Sequence, residues 1–124
     1  METSRKKLSE KELKLLAAKA RIVLSQKVAY YAEQMDVEYG RIAIRCQRTR
    51  WGSCSSKKNL NFNCLLMFTP EAVQDYVVVH ELCHLKEMNH SKRFWHEVEQ
   101  VMPDYKVHKK WLKENGGKIM QWNW

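Results

Sequence analysis

Long apolar runs are absent from this sequence, and their absence limits what the chain can be. No stretch of about 18 apolar residues occurs, so we expect no transmembrane helix. The charged start, Met1 to Lys7, leads into an amphipathic segment and not into the apolar core of a signal peptide. No internal repeat or low-complexity segment is present. We therefore expect one cytoplasmic domain over residues 1–124, with residues 1–8 flexible and residues 118–124 forming a tail.

Closely spaced cysteine pairs are absent as well. The four cysteines, at positions 46, 54, 64 and 83, form no CxxC motif. Without an export signal, the simplest interpretation is that all four are reduced thiols.

Basic residues exceed acidic residues, with 22 Lys and Arg against 14 Asp and Glu and a net charge of +8. One interpretation is a solvated surface that keeps the protein soluble. The other is a positive field that attracts an anionic substrate or nucleic acid. Composition alone leaves both open.

Local patterns predict an α+β order of elements. Ser9 and Glu12 form a capping box at the start of an amphipathic helix that ends near Met35. Alternating apolar residues predict a strand from residue 42 to 46 and a hairpin from 49–54 and 60–66. Three further helices are predicted: one from Pro70 to about Lys86, apolar on nearly every side, one after Ser91, and one that begins at Asp104 and ends at Gly116-Gly117.

The helix after Pro70 carries the run HELCHLKEMNH, which begins at His80. Histidines four residues apart lie on one helix face, so His80 and His84 can bind one metal ion. Glu81 lies beside them in the H-E-x-x-H arrangement of zinc hydrolases, where the glutamate is the general base. His90 has the spacing of a third zinc ligand, and we expect Asn89 to make the required turn in a left-handed conformation.

Other residues compete for the third ligand position. His96 lies on the next predicted helix, and a ligand set of two histidines and one glutamate would use Glu97 or Glu99. The helix after Pro70 is apolar on nearly every side, yet it carries the polar residues His80, Glu81 and His84. Buried polar groups need a partner, and a divalent cation such as Zn²⁺ provides one.

The segment Arg50, Trp51, Gly52, Ser53 and Cys54 is the candidate substrate-binding strand. An extended peptide could align along it by edge pairing, with Gly52 permitting a close backbone approach. The alternative is a strand with a purely structural role.

The sequence resembles the YgjP-like metallopeptidase family, which is related to the WLM and SprT-type zinc proteases. The resemblance lies in RTRWGSCSSKKNLNFN, TPEAVQDYVVVHELCHLKEMNHSKRFW and PDYKVHKKWLKENG, over roughly residues 20–117. It implies a small zincin-like fold, with a short antiparallel sheet over an active-site helix and flanking helices. It also implies that His80, His84 and His90 bind zinc and that Glu81 is catalytic. Cys64 and Cys83 stand where the family pattern leads us to expect tryptophan and alanine.

These observations favour a zinc-dependent metalloendopeptidase acting on a peptide or protein substrate. One alternative, which the resemblance implies, is a metal-dependent nucleotide (UTP-type) pyrophosphatase that holds phosphates with Arg48, Arg50, Lys92 or Arg93. A second is a nucleic-acid-associated protease of the SprT/WLM type, with the basic surface as its binding face. A non-enzymatic zinc-stabilised fold is disfavoured, because a closed structural site has no need of Glu81.

Overall fold

A computed structural model of the chain describes residues 8–121 and has an α+β fold. The helices are α1 (Glu10–Met35), α2 (Glu71–Cys83), α3 (Lys92–Val101) and α4 (Tyr105–Met120), and the strands are β1 (Ile42–Arg45), β2 (Gly52–Cys54) and β3 (Leu60–Asn63). A 3₁₀ helix, Cys64–Phe68, connects the sheet to α2. Residues 1–7 of the predicted flexible start, and Trp122 and Trp124 of the predicted tail, lie outside the described residues.

Helix α1 begins at the predicted capping box. Ser9 Oγ accepts a hydrogen bond from the backbone N–H of Glu12, and Glu12 Oε1 accepts one from the backbone N–H of Ser9. The buried residues of α1 recur every three or four positions, at Ala20, Leu24, Val28, Ala32 and Met35. This stripe faces the core because residues at that spacing share one side of a helix.

The sheet has three strands in the order β1-β3-β2. Strands β2 and β3 form the predicted antiparallel hairpin, with Gly52 opposite Phe62 and Cys54 opposite Leu60. Both strands are shorter than the predicted 49–54 and 60–66, and β3 ends early because the 3₁₀ helix begins at Cys64. Strand β1 pairs with β3 in parallel, so the sheet is mixed, whereas the sequence led us to expect an antiparallel one. The difference arises because β3 inserts between β1 and β2, and local alternation does not reveal which strands pair.

The loop between β1 and β2 is attached to the end of β3. The amide of Asn63, fully buried, donates to the backbone oxygens of Gln47 and Arg50 at 2.7 and 2.8 Å. Cys46 and Cys64 form a disulfide across the same junction. The prediction that all four cysteines are reduced thiols is therefore wrong for this pair; Cys54 and Cys83 are free. The loop brings residues 18 positions apart together, which their spacing in the sequence does not show.

Helix α2 is the central buried element, as its composition predicts. Nine of its thirteen residues are buried: Val73, Gln74, Tyr76, Val77, Val78, Val79, Glu81, Leu82 and Cys83. Lys27 of α1 fixes one side of it through ion pairs to Asp75 at 2.7 Å and Glu71 at 3.1 Å. The burial of α2 explains why any polar group on it must be paired or functional.

Helix α4 is longer than predicted. It continues through Gly116 and Gly117 to Met120, so the expected end at these glycines is wrong and the helix enters the segment expected to be a tail. Gly116 is buried against Trp51, where an added Cβ would lie 3.0 Å from the indole Nε1. Tertiary packing, and not helix termination, accounts for this glycine. Within residues 8–121, no helix is both long enough and apolar enough to cross a membrane.

Candidate metal centre

Three histidines meet at the end of α2. His80 lies in the last turns of the helix, His84 occupies its C-cap in a right-handed helical conformation, and His90 lies in the loop before α3. One side-chain nitrogen from each lies within 4.8 Å of the other two. In the described part of the chain, no other group of three histidine, cysteine or acidic residues converges in this way.

Hydrogen bonds orient two of the imidazoles. His84 Nδ1 lies 3.0 Å from the backbone oxygen of Glu87, and because a carbonyl only accepts, Nδ1 carries the proton. This leaves the lone pair of His84 on Nε2, which lies 3.1 Å from Nε2 of His90. On the other side, His80 Nδ1 donates to Glu81 Oε2 at 3.1 Å, which leaves its own Nε2 free. A second partner of this kind fixes the tautomer of a metal-binding imidazole.

A tight turn brings His90 back toward the helix. The backbone N–H groups of Lys86 and Glu87 both donate to the oxygen of Cys83, at 3.0 and 2.9 Å. The prediction that Asn89 adopts a left-handed conformation is wrong: Asp36 and Lys58 are the non-glycine residues with positive φ in the described range. These two bonds extend the helical turn beyond α2, and the chain then reaches His90 without a left-handed residue.

Aromatic rings support the histidines from the α3 side. Ser91 caps α3 by accepting from the N–H of Phe94 at 3.3 Å, which fixes Phe94 beneath the site. The Phe94 ring stacks on His84 with centroids 4.4 Å apart and meets the edges of His80 and His90. Partial burial, followed by the neighbouring His80 and His84, lowers the pKa of His90. His90 therefore stays neutral down to a lower pH than an ordinary histidine. The neutral imidazole is the form that can bind a metal.

Glu81 lies beside the triad and is nearly inaccessible, with 5% of its surface exposed. Gly52 of β2 packs directly against it. A Cβ added at Gly52 would lie 3.1 Å from Glu81 Cγ, 3.2 Å from its Oε2 and 3.1 Å from the backbone oxygen of Asn61. The absence of a side chain at position 52 thus leaves the room that the carboxylate occupies.

A cleft of about 310 Å³ opens at His80 and Glu81. Of the predicted substrate residues, Arg50, Trp51 and Gly52 line it, whereas Ser53 and Cys54 are not among its lining residues. Ser53 Oγ accepts from Asn61 Nδ2 at 3.3 Å, within the hairpin. Burial, with a smaller effect of Glu81, raises the pKa of the Cys54 thiol to about 11, so this cysteine is a thiol near neutral pH.

The cleft also contains residues that we did not select from the sequence. Thr49, Tyr76, Val77 and Leu112 complete its walls. Tyr76 precedes His80 by four residues and therefore lies on the same helix face. Burial and the nearby Glu81 raise the pKa of Tyr76, so its hydroxyl stays protonated. The same spacing could have identified Tyr76.

The competing ligand candidates lie away from the triad. Glu97 pairs with Lys86 at 3.2 Å on the protein surface. His96 and Glu99, both exposed on α3, face a second cleft and do not join the cluster of three histidines. The assignment of His80, His84 and His90 as the ligands remains a prediction, and the geometry favours it over these alternatives.

The donor set fits a zinc ion. Two nitrogens that bind one tetrahedral zinc at about 2.0–2.1 Å lie about 3.3 Å apart, close to the 3.1 Å between Nε2 of His84 and Nε2 of His90. Three imidazoles without a fourth protein ligand are typical of a catalytic zinc site, which keeps one position open.

Residues 2–115 match the family described as YgjP-like, metallopeptidase domain. The chain belongs to this family. Among curated proteins, none is similar enough to this YgjP-like domain to count as a match.

Two solved structures have the same fold as this YgjP-like domain. They are the metallopeptidase zymogens abylysin, from Pyrococcus abyssi, and jannalysin, from Methanocaldococcus jannaschii, each with a TM-score of 0.65 and 21% sequence identity. The abylysin match covers 73% of this chain and 93% of abylysin; the jannalysin match covers 74% and 95%. The YgjP-like domain therefore has the architecture of a minimal metallopeptidase.

Proposed function

We propose that this YgjP-like domain is a zinc-dependent peptidase in which His80, His84 and His90 hold the ion and Glu81 is the general base. The observation that carries the proposal is the convergence of three imidazole nitrogens within 4.8 Å, next to a buried carboxylate at the mouth of a cleft. Membership of a metallopeptidase family supports peptides as the substrate.

A zinc ion bound by the three histidines would supply a Lewis acid that polarises the scissile carbonyl and acidifies the attacking water. Glu81 accepts a proton from that water and donates it to the leaving amine. The contact between His80 and Glu81 and the packing of Gly52 hold the carboxylate at the cleft. Tyr76 lines the same cleft as a protonated donor.

Strand β2 offers a way to align the substrate. It is at the edge of the sheet, because β3 covers only one of its two sides, and its first residue, Gly52, lies against Glu81. An extended peptide that pairs with the free edge of β2 would bring its backbone to the triad. Of the predicted segment, Arg50 and Trp51 would then contact substrate side chains, since both line the cleft.

Replacing Glu81 with glutamine tests the role of the base. The Glu81→Gln variant keeps the size of the side chain but loses proton acceptance, so peptide cleavage should fall by about a hundredfold or more. Zinc content, measured by metal analysis of the purified protein, should remain at one ion per chain. The matched control is Glu114→Gln, an exposed glutamate on α4 that should leave both quantities unchanged. Full activity in Glu81→Gln would remove this residue as the base.

A substrate panel separates peptide hydrolysis from the alternatives. The zinc-loaded protein is incubated with an unfolded protein, with nucleoside triphosphates, and with each in the presence of DNA. Peptide fragments support the proposal, released pyrophosphate would support a nucleotide pyrophosphatase, and cleavage that requires DNA would support a nucleic-acid-associated protease.

A further inference from the structure

A second cleft, of about 460 Å³, lies on the other side of the triad. Its aromatic wall is Trp95, which stacks on Tyr105 with ring centroids 5.3 Å apart and an interplanar angle of 17°. The same indole lies 5.9 Å from the His90 ring and 5.7 Å from the His80 ring. Each cleft therefore contains one member of the triad, since His90 lines this cleft and His80 lines the cleft at Glu81.

The second cleft is basic. Lys92, Lys106 and Lys109 line it, together with one carboxylate, that of Glu99. Lys109 Nζ lies 4.1 Å from the Trp95 ring centroid, a cation–π contact that holds the ammonium group over the cleft wall. We refer to this cleft, defined by Lys92, Lys106, Lys109 and Trp95, as the lysine cleft. Its other lining residues are His90, Ser91, His96 and Tyr105.

The three lysines of the lysine cleft differ from the paired lysines of this protein. Lys27 and Lys86 each contact a carboxylate, at 2.7 and 3.2 Å. In the described structure, none of the lysine-cleft ammonium groups has a carboxylate within ion-pair distance. All three residues are exposed and therefore accessible to a substrate. Three cations against one anion leave a positive potential where a substrate would pass.

We propose that the lysine cleft is a specificity subsite that binds acidic side chains of a peptide substrate, on the His90 side of the scissile bond. The inference rests on the proposed peptidase function and adds the substrate class. A carboxylate in the cleft would lie in the positive field of three lysines, and the aromatic wall would pack against the aliphatic part of Asp or Glu.

The experiment compares matched peptides. Two peptides of identical sequence carry either two glutamates or two glutamines on the His90 side of the cleaved bond, and kcat/KM is measured for both. Wild-type protein should favour the glutamate peptide by about tenfold, since each exposed ion pair contributes only modestly and the peptide carries two glutamates. The preference should shrink at high salt, because exposed charges are screened.

Charge reversal tests whether the lysine cleft causes the preference. The double variant Lys106→Glu, Lys109→Glu should abolish or invert the ratio of the two kcat/KM values. The control, Lys110→Glu with Lys113→Glu, changes the net charge equally on the same helix, but neither residue lines the cleft. If both double variants lower the ratio equally, a general field and not the lysine cleft selects the substrate, and the proposal is overturned.

A binding measurement tests the lysine cleft independently of catalysis. Fluorescence anisotropy of labelled peptides with the Glu81→Gln variant should show tighter binding of the glutamate peptide, an effect lost with Lys106→Glu and Lys109→Glu. Cleavage of both peptides at equal rates would overturn the subsite and leave the peptidase standing. Glutamate-selective binding without cleavage by wild-type protein would instead count against the peptidase. Binding of a labelled nucleoside triphosphate that Lys106→Glu and Lys109→Glu abolish, with no binding of the glutamate peptide, would assign the cleft to phosphate and overturn the proposal.

Discussion

His90 and His96 are six positions apart, and they lie in different surroundings. His90 Nε2 lies 3.1 Å from His84 Nε2, whereas His96 is exposed on α3 and faces the lysine cleft. We expect His90→Ala to lower the zinc content of the purified protein by removing one of three ligands. His96→Ala is the matched control and should retain one zinc per chain. Metal analysis of both variants measures the difference. An unchanged zinc content in His90→Ala would mean that another residue is the third ligand.

Gly52 and Glu81 allow a second test at the scale of single residues. Because a Cβ at position 52 would lie 3.1 Å from Glu81 Cγ and from the oxygen of Asn61, Gly52→Ala must displace the carboxylate or the strand. We expect kcat for peptide cleavage to fall by about tenfold to a hundredfold, since a small misplacement of a reacting group is costly. Zinc content should stay unchanged because the three atoms nearest the added Cβ belong to Asn61 and Glu81 and not to a histidine.

The control for Gly52→Ala is a glycine with free space around it. Gly117 has no atom within 4 Å of an added Cβ, so Gly117→Ala should leave kcat unaltered. A normal kcat in Gly52→Ala would show that the carboxylate tolerates the displacement and that Gly52 serves only the hairpin.

The sequence predicts the positions of the candidate ligands better than the environment around them. His80 and His84 are four residues apart, and this spacing alone predicts a shared helix face. The contact of Gly52 with Glu81 joins a strand to a helix, and the hydrogen bond from His84 to the oxygen of Glu87 depends on the conformation of the turn. Neither follows from residue type, because both require the tertiary arrangement of segments that are separate or irregular.

At the scale of elements, the neighbouring glycines of α4, Gly116 and Gly117, have different surroundings and allow a matched comparison. An added Cβ at Gly116 would lie 3.0 Å from Trp51 Nε1 and 3.2 Å from its Cζ2, whereas Gly117 faces open space. Gly117→Ala should stabilise the protein by up to about 1 kcal/mol, because alanine favours a helix interior over glycine. Gly116→Ala should destabilise it, as Trp51 must move off the helix.

Thermal or denaturant unfolding measures both effects. Equal stabilisation by the two substitutions would mean that Trp51 does not pack on α4 as the structure has it. Since Trp51 also lines the cleft at Glu81, Gly116→Ala should alter KM as well.

The same two glycines show where prediction of elements fails. A glycine pair is a common helix end, so the local pattern placed the end of α4 there. The helix continues because Ile119 beyond it is buried and Gly116 accommodates Trp51, both of which are non-local effects. The mixed sheet is a similar case: the strands were predicted, but the parallel pairing of Ile42 with Leu60 was not. Amphipathic helices such as α1 are predictable since their signal is local.

At the scale of the whole molecule, the candidate site is assembled from segments throughout the chain. The cleft at Glu81 takes residues from the β1–β2 loop, α2 and α4, and the lysine cleft takes residues from α3 and α4. The sheet, α1 and the 3₁₀ helix hold these segments in place around a single core. The stability of the fold and the geometry of the clefts are therefore coupled.

The Cys46–Cys64 disulfide is a direct way to test this coupling. It links residues 18 positions apart, and closing a loop of that length stabilises a fold by about 3 kcal/mol in the chain-entropy estimate. We expect a thiol reductant to lower the free energy of unfolding of the wild-type protein by that amount in a denaturant titration. Cys46→Ser should have the lower stability already and should not respond to the reductant. Cys54→Ser, which removes a free thiol, should respond as wild type does.

Reduction should also affect peptide cleavage, because the loop that Cys46 begins carries Thr49 and Arg50 into the cleft at Glu81. With the disulfide open, the loop loses one of its attachments, so we expect KM to rise. Asn63 still holds the loop through its hydrogen bonds to Gln47 and Arg50, and we expect zinc content to stay constant. If the reductant changes neither the free energy of unfolding nor the KM of the wild-type protein, Cys46 and Cys64 are not joined in solution. The loop would then depend on Asn63, and Asn63→Ala would become the decisive substitution, since it removes both amide contacts from a fully buried position.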